Sequence, residues 1–145
     1  HGYFSDAEIN KPIYEKIRGW RSICKKFMFW AYDIDFHDYF NYFPSFGVIK
    51  ENVQGFYNLG VKYILMQGAH NFQQSWQCNL RAYIYHRLFN DINLSEQELF
   101  DEYIEGFYGK IGGECVKKFI VDMNAHYAKI LKKYYMPYYF LYQFV

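Results

Sequence analysis

FMFWAYDIDFHDYFNYFPSF, Phe27–Phe46, places ten aromatic rings in twenty residues, with Asp33, Asp35, His37 and Asp38 among them. Its first part, within KFMFWAY (Lys26–Tyr32), is a short apolar, aromatic run that reads as a buried strand. The polar part cannot be buried so easily. Asp33–Ser45 reads as a loop closed by Pro44, and its 13 residues exceed the roughly 2–6 common between a strand and a following helix. The stretch is therefore a strand that delivers a long aromatic and acidic loop at its C-terminal end.

Upstream, Ile9, Ile13, Ile17 and Trp20 recur at helical spacing, and Pro12 marks where the regular part of a helix ending near Arg21 begins. Downstream, Val48, Ile49, Asn52, Val53 and Phe56 give a second helix with Gly60 as its C′ residue. VKYILM (Val61–Met66) is a second strand and QGAHNFQQS (Gln67–Ser75) a loop. Leu80, Tyr83, Ile84 and Leu88 make a third helix starting near Ser75. Ser95 and Glu98 form a capping box ahead of a stripe of Leu99, Phe100, Tyr103, Ile104 and Phe107 that stops at Gly109. GKIGG (Gly109–Gly113) has no strand before it, so it is a helix stop and restart rather than a dinucleotide loop. Val116, Phe119, Ile120, Met123, Tyr127, Ile130, Leu131 and Tyr134 then follow one helical face.

Two strands separated by a helix imply a parallel βαβ unit. Two strands are too few for a stable parallel sheet, which needs both faces covered. The sheet is expected to be completed by another copy or to belong to a larger one, and its unpaired edges predict self-association. The N-terminal HGYFSDAEIN, without an initiator Met or the build of a signal peptide, reads as the start of an excised piece or mature product.

Composition narrows the function classes. The chain has 145 residues and a net charge of +1, so the electrostatic footprint of a nucleic-acid binder is missing. No run of about 18 apolar residues occurs, which disfavours a membrane span. Three widely spaced cysteines, Cys24, Cys78 and Cys115, form neither a CxxC pair nor a disulfide framework. Aromatic residues reach 24%, including 17 Tyr, more tyrosine than a core alone explains.

The motifs, taken in order, carry a resemblance. W-A-Y-D (Trp30–Asp33), the aromatic loop to F-P (Phe43–Pro44), and G-V-K-Y-I-L-M-Q-G (Gly60–Gly68) precede L-R-A-Y-I-Y-H-R-L-F-N-D (Leu80–Asp91) and E-L-F-D-E-Y-I-E-G-F-Y-G (Glu98–Gly109). From about Ile9 to Lys129 the chain resembles the C-terminal part of the family called domain of unknown function 4838. That family is similar to glycoside hydrolase family 163, bacterial endo-acting β-N-acetylglucosaminidases of N-glycan breakdown with a (β/α)8 barrel. Arg87-Leu88-Phe89 departs from the Trp-Asn-Pro usual there, in a helix-packing segment.

The resemblance implies an α/β fold: the C-terminal portion of a (β/α)8 TIM barrel, about two parallel strands followed by closing helices. It divides the chain into the last two β/α units (residues 9–91), C-terminal helices (92–135) and an apolar tail (136–145). A barrel takes roughly 200 residues or more, so the catalytic carboxylates are expected upstream and the fragment is expected to be inactive alone. A secreted, periplasmic or cell-surface location is likewise implied only by the resemblance.

Barrel chemistry sits at the C-terminal ends of strands. The two loops there offer rings to stack on sugar C–H faces and polar groups to bind hydroxyls. The candidate substrate-binding residues are Trp30, Tyr32, Asp33, His37, Tyr42, Gln67, His70 and Trp76, with Phe36 and Tyr39 as further rings. The expected partner is a glycan or oligosaccharide. Asp33 and Asp35 have the carboxylate pairing that glycosidases use, yet Asp is also a common loop starter and helix cap, so no catalytic residue is assigned. The D-x-D-x-H-D run lacks the glycine and glutamate of a calcium loop, having Asp38 and Pro44 instead. His37, His70 and His86 lack ligand spacing, so neither metal nor cofactor is expected. The rival reading is a non-catalytic carbohydrate-binding or self-assembling α/β module using the same rings.

Overall fold

The computed structural model describes residues 11–26, 28–34, 36, 38–69 and 75–134. They form α1 (Lys11–Ile23), β1 (Met28–Tyr32), α2 (Ile49–Asn58), β2 (Tyr63–Gln67), α3 (Cys78–Asn90) and α4 (Glu96–Tyr134). The fold is α/β. The apolar tail lies outside the described residues. Two compact units emerge: a strand unit of residues 11–43 and 51–76, and a helical unit of residues 44–50 and 77–134.

In the strand unit, β1 and β2 pair in parallel, from Met28 opposite Tyr63 to Tyr32 opposite Gln67. Phe29 and Ala31 of β1 are buried with Ile17 of α1, Phe56 of α2 and Leu59, and Tyr14, Val61, Ile64 and Met66 pack against them. The Phe29 and Phe56 rings lie 4.6 Å apart. Burying each such large apolar side chain contributes about 1.5–3 kcal/mol. α2 ends in a Schellman motif: Gly60 N–H donates to Tyr57 O at 2.9 Å and Val61 N–H to Phe56 O at 3.1 Å. This turn delivers the chain from helix to second strand.

Among the described residues the helices cover one face of the sheet. The pleat sends alternate residues to the other face, where Met28 is 57%, Trp30 48%, Tyr63 65% and Leu65 41% exposed. The buried strand expected from KFMFWAY is therefore half-buried. Every residue of MFWAY is apolar or aromatic, so the sequence hides an alternation that the structure makes plain.

The helical unit has a closed core. Leu80, Ile84 and Leu88 of α3, spaced by one helical turn each, are buried, as are Leu99, Phe100, Ile104 and Ile120 of α4. Phe46 meets Phe100 edge-on at 5.7 Å. The predicted capping box is half formed, with Glu98 N–H donating to Ser95 Oγ at 3.3 Å.

α4 breaks at Gly109, whose φ of 70° and ψ of 174° are non-helical and suit glycine alone. The stop and restart read from GKIGG is thus real. Lys117 Nζ lies 2.6 Å from Asp101 Oδ1, although sixteen residues of straight helix would span about 24 Å. The two halves of α4 consequently fold back side by side. A Cβ on buried Gly113 would come within 3.2 Å of both Ile104 Cγ2 and Ile104 O, so this glycine lets the halves approach.

Candidate functional site

Strand pairing brings three of the predicted residues to one end of the sheet. Trp30 and Tyr32 point to the open face by alternation, and Gln67 is the partner of Tyr32 across the ladder. The Trp30 indole Nε1–H donates to Gln67 Oε1 at 2.8 Å. This contact orients the amide, with the oxygen toward the indole and the Gln67 NH2 group as the donor side of the pair. The ladder continues one residue beyond the strands, with Asp33 N–H donating to Gln67 O at 3.2 Å.

From this pair a chain of rings runs into the loop. Trp30 and Tyr32 centroids are 6.4 Å apart. Phe36 meets Tyr32 edge-on at 5.3 Å, and Tyr39 meets Phe36 edge-on at 6.2 Å. Edge-to-face pairs of this kind are favoured by the ring quadrupole. The loop is held locally by short-range polar contacts: Phe40 N–H donates to Asp38 Oδ1 at 3.0 Å and Asn41 N–H to Asp38 O at 3.1 Å. These make an Asx turn, so the acidic residue shapes the backbone.

The second loop joins the first through Trp76. Its N–H donates to Tyr39 O at 2.9 Å, and its ring lies 5.7 Å from that of Tyr42. Tyr42 is buried, as is Asp33, whereas Trp30 is the most exposed ring of the set. Tyr42 and Trp76 thus brace the two loops against each other, while Trp30, Tyr32, Phe36 and Gln67 form the accessible side. His37 and His70, like Asp35, lie outside the described residues. Among the described residues no group of three or more His, Cys, Asp or Glu is placed to hold a metal ion, and no helix is long and apolar enough to cross a membrane. Cys24, Cys78 and Cys115 are free thiols.

The sequence profile of the family described as Domain of unknown function (DUF4838) matches residues 5–121, well over half of the chain. The protein belongs to this family. The matched span includes β1, β2, both loops and the α4 bend, so the strand-end ring chain is part of the family's own region of this DUF4838 protein. Searches of curated proteins and of solved structures returned no match.

Two features of the molecule escaped sequence reasoning. Glu96 reaches the first turn of α2: Gly47 and Lys50 N–H groups donate to its two carboxylate oxygens at 2.6 and 2.9 Å. A carboxylate there satisfies orphan donors and meets the positive end of the helix dipole. No local spacing signals a cap supplied from 46–49 positions away. The second is a ring stack of Tyr83 on α3 with Tyr103 and Phe107 on α4, which helical spacing alone shows only as a packing stripe.

Proposed function

We propose that this DUF4838 chain supplies substrate-contacting loops of a carbohydrate site in a glycoside hydrolase-like (β/α)8 barrel. The observation that carries the reading is the two-faced sheet. A barrel strand packs one face on helices and turns the other toward the interior, with its functional groups at the C-terminal end. β1 and β2 have this distribution: helices cover Phe29, Ala31, Ile64 and Met66, Met28 and Leu65 lie open, and the Trp30 indole reaches from the middle of β1 to Gln67 at the C-terminal end of β2.

In this reading Trp30 and Tyr32 stack on the C–H face of a pyranose ring, and the Gln67 amide donates to a hydroxyl. Phe36 and Tyr39 extend the apolar platform. The catalytic carboxylates belong to other barrel strands, and the protein acts outside the cytoplasm, where glycans are found. Met28, Tyr63 and Leu65 would be covered by the remaining strands and their side chains. Without such strands, the unpaired edges of β1 and β2 favour self-association.

The test is native affinity electrophoresis of the 145-residue protein in gels containing glycol chitin, yeast mannan or xylan. Retardation in at least one gel is expected, with loss of most of it in Trp30→Ala and a smaller loss in Gln67→Ala. Unchanged migration of the wild type in every gel would defeat the carbohydrate reading. Hydrolysis of an aryl β-N-acetylglucosaminide by the 145-residue protein itself would defeat the placement of the carboxylates on other strands. The second reading, a non-catalytic carbohydrate-binding module, rests on the same rings. It is favoured if a polypeptide extended to further β/α units binds glycan and hydrolyses none.

A further inference from the structure

The outer side of α1 carries apolar surface that core packing does not explain. Its inner side is settled by contact: Ile17 is buried with Phe29, Ala31, Phe56 and Leu59, and Tyr14 packs against them. Arg21 is also taken up by packing. Its guanidinium lies so close over Gly60, just past the end of α2, that a Cβ there would be 2.7 Å from Arg21 Nε. The dipole of α2 favours a cation at that end. Lys16, Trp20 and Ile23 stand at i, i+4 and i+7 and form a separate stripe along α1. Trp20 is 63% and Ile23 76% exposed, and Lys16 is exposed with them.

Positive charge gathers on the same helix. Residues 11–26 hold six Lys or Arg and one acidic residue, Glu15, although the whole chain is only +1. Arg18, Lys25 and Lys26 are exposed. Cys24 N–H donates to Trp20 O at 2.8 Å, extending the last turn, and the Cys24 thiol donates to Lys26 O at 3.1 Å. This turn holds Lys25 and Lys26 at the end of the Trp20–Ile23 stripe. The dipole of α1 explains cations there. It does not explain two large apolar side chains left in water beside them. A covering helix would have to take ammonium groups out of water together with the indole, at a cost that an apolar contact does not return. A second copy would set like charge against like charge.

We propose that α1 docks this chain on the surface of an anionic phospholipid bilayer. The helix lies along the interface. Trp20 and Ile23 enter the boundary between headgroups and acyl chains, and Lys16, Arg18, Lys25 and Lys26 meet headgroup phosphates. A cluster of about 4–8 Lys or Arg on an amphipathic helix suits anionic lipid, and an indole settles at the headgroup level. Apolar residues interleaved with the cations distinguish this surface from a nucleic-acid footprint, which draws its affinity from phosphate contacts. The contact is peripheral, since no described helix is long and apolar enough to cross a membrane. It stands independently of the carbohydrate reading. α1 packs on the covered face of the sheet through Ile17, so docking leaves Trp30 on the open face accessible.

Vesicle co-sedimentation of the 145-residue protein tests it, with vesicles of phosphatidylcholine alone or mixed with an equal part of phosphatidylglycerol. The wild type is expected to pellet with the mixed vesicles and not with phosphatidylcholine, and its binding should fall as salt is raised. Lys25→Glu/Lys26→Glu should weaken the partition about tenfold, and Trp20→Ala/Ile23→Ala about threefold or more. Trp30→Ala, on the open sheet face, should bind as the wild type does. All the substituted side chains are exposed, and circular dichroism checks that each variant folds. No pelleting of the wild type with the mixed vesicles, or pelleting that neither α1 variant reduces, overturns the proposal. Loss on charge reversal with full binding in Trp20→Ala/Ile23→Ala marks a general polyanion contact and overturns the lipid assignment. A loss in Trp30→Ala equal to that in Trp20→Ala/Ile23→Ala assigns the binding to exposed rings at large and overturns the role of α1.

Discussion

The strand unit and the helical unit bury their apolar residues in opposite styles. In the helical unit Leu80, Ile84, Leu88 and Ile120 are closed off from solvent almost completely, and the exposed rings, Phe89, Phe107, Tyr108 and Phe119 among them, lie outside that core. In the strand unit, half of each strand is packed and the other half lies open. A helix can bury its stripe against a neighbour a few residues away, but a parallel strand pair needs covering on both faces. The lesson is that an exposed residue carries different information in the two units. Under the proposed barrel reading exposed Leu65 belongs to a face that a larger sheet covers, whereas exposed Phe107 belongs to helices whose own core is already closed.

The sharpest way to break this contrast is a pair of truncations. Ile84→Ala is expected to cost about 2–5 kcal/mol in chemical denaturation, the range for a buried Ile or Leu cut to Ala. Leu65→Ala should cost less than about 1 kcal/mol in the 145-residue protein, since much of its transfer term was never gained. In a polypeptide extended to a full set of β/α units the Leu65 cost should rise into the Ile84 range. Equal costs for the two variants in the 145-residue protein would erase the distinction between open and closed faces.

Next in size are the neighbouring glycines at the α4 bend. Gly113→Ala should destabilise by about 1–3 kcal/mol, the usual scale of overpacking, because its Cβ would press on Ile104 side chain and backbone together. At Gly112 the nearest atom to a new Cβ is Tyr108 Cβ at 3.8 Å. Gly112→Ala should therefore stabilise by about 0.5–1 kcal/mol through helix propensity. Thermal melts of the two variants moving in the same direction would refute the close approach of the α4 halves.

Glu96→Gln should cost about 0.5–2 kcal/mol, the scale of a lost helix cap, with hydrogen exchange rising first at Gly47 and Lys50. Unchanged exchange there would remove Glu96 as the cap. The smallest effect concerns Glu102. Hydrogen bonds from Tyr83, then from Arg87, hold its carboxyl below the usual carboxylate range. The folded state therefore binds this proton less tightly than the unfolded one. The resulting stability is present above the ordinary glutamate pKa and is lost as pH falls through the lower, folded value. Glu102→Gln should flatten that part of an acid-denaturation curve, by a modest amount because the group is exposed and solvent-screened. An identical curve in the variant would show that the network contributes no stability.

Much of the architecture was legible because its signals are local. Pro12 near a helix start, Gly60 after a helix end, Ser95 with Glu98, and Gly109 at a break are each decided by backbone conformation within a few residues. The strand boundaries were less so: the second strand is Tyr63–Gln67, two residues later at its start than the run VKYILM suggests. At the candidate site, the sequence placed Trp30, Tyr32 and Gln67 at strand ends, but it could not pair an indole N–H with an amide 37 residues away. Nor could it tell Tyr42, which is buried as a brace, from Trp30, which is presented.

By itself, then, the sequence determined the order of helices and strands, the turns between them, and the long aromatic loop opening at Asp33. These follow from period, propensity and φ preference, all properties of a short window. Tertiary structure alone decided which face of MFWAY is covered, that α4 doubles back through Asp101 and Lys117, that Glu96 caps a helix begun 47 residues earlier, and that Phe107 stays outside. Each of those depends on which distant residues come to share a surface. Side-chain type alone cannot choose among the many partners that would serve.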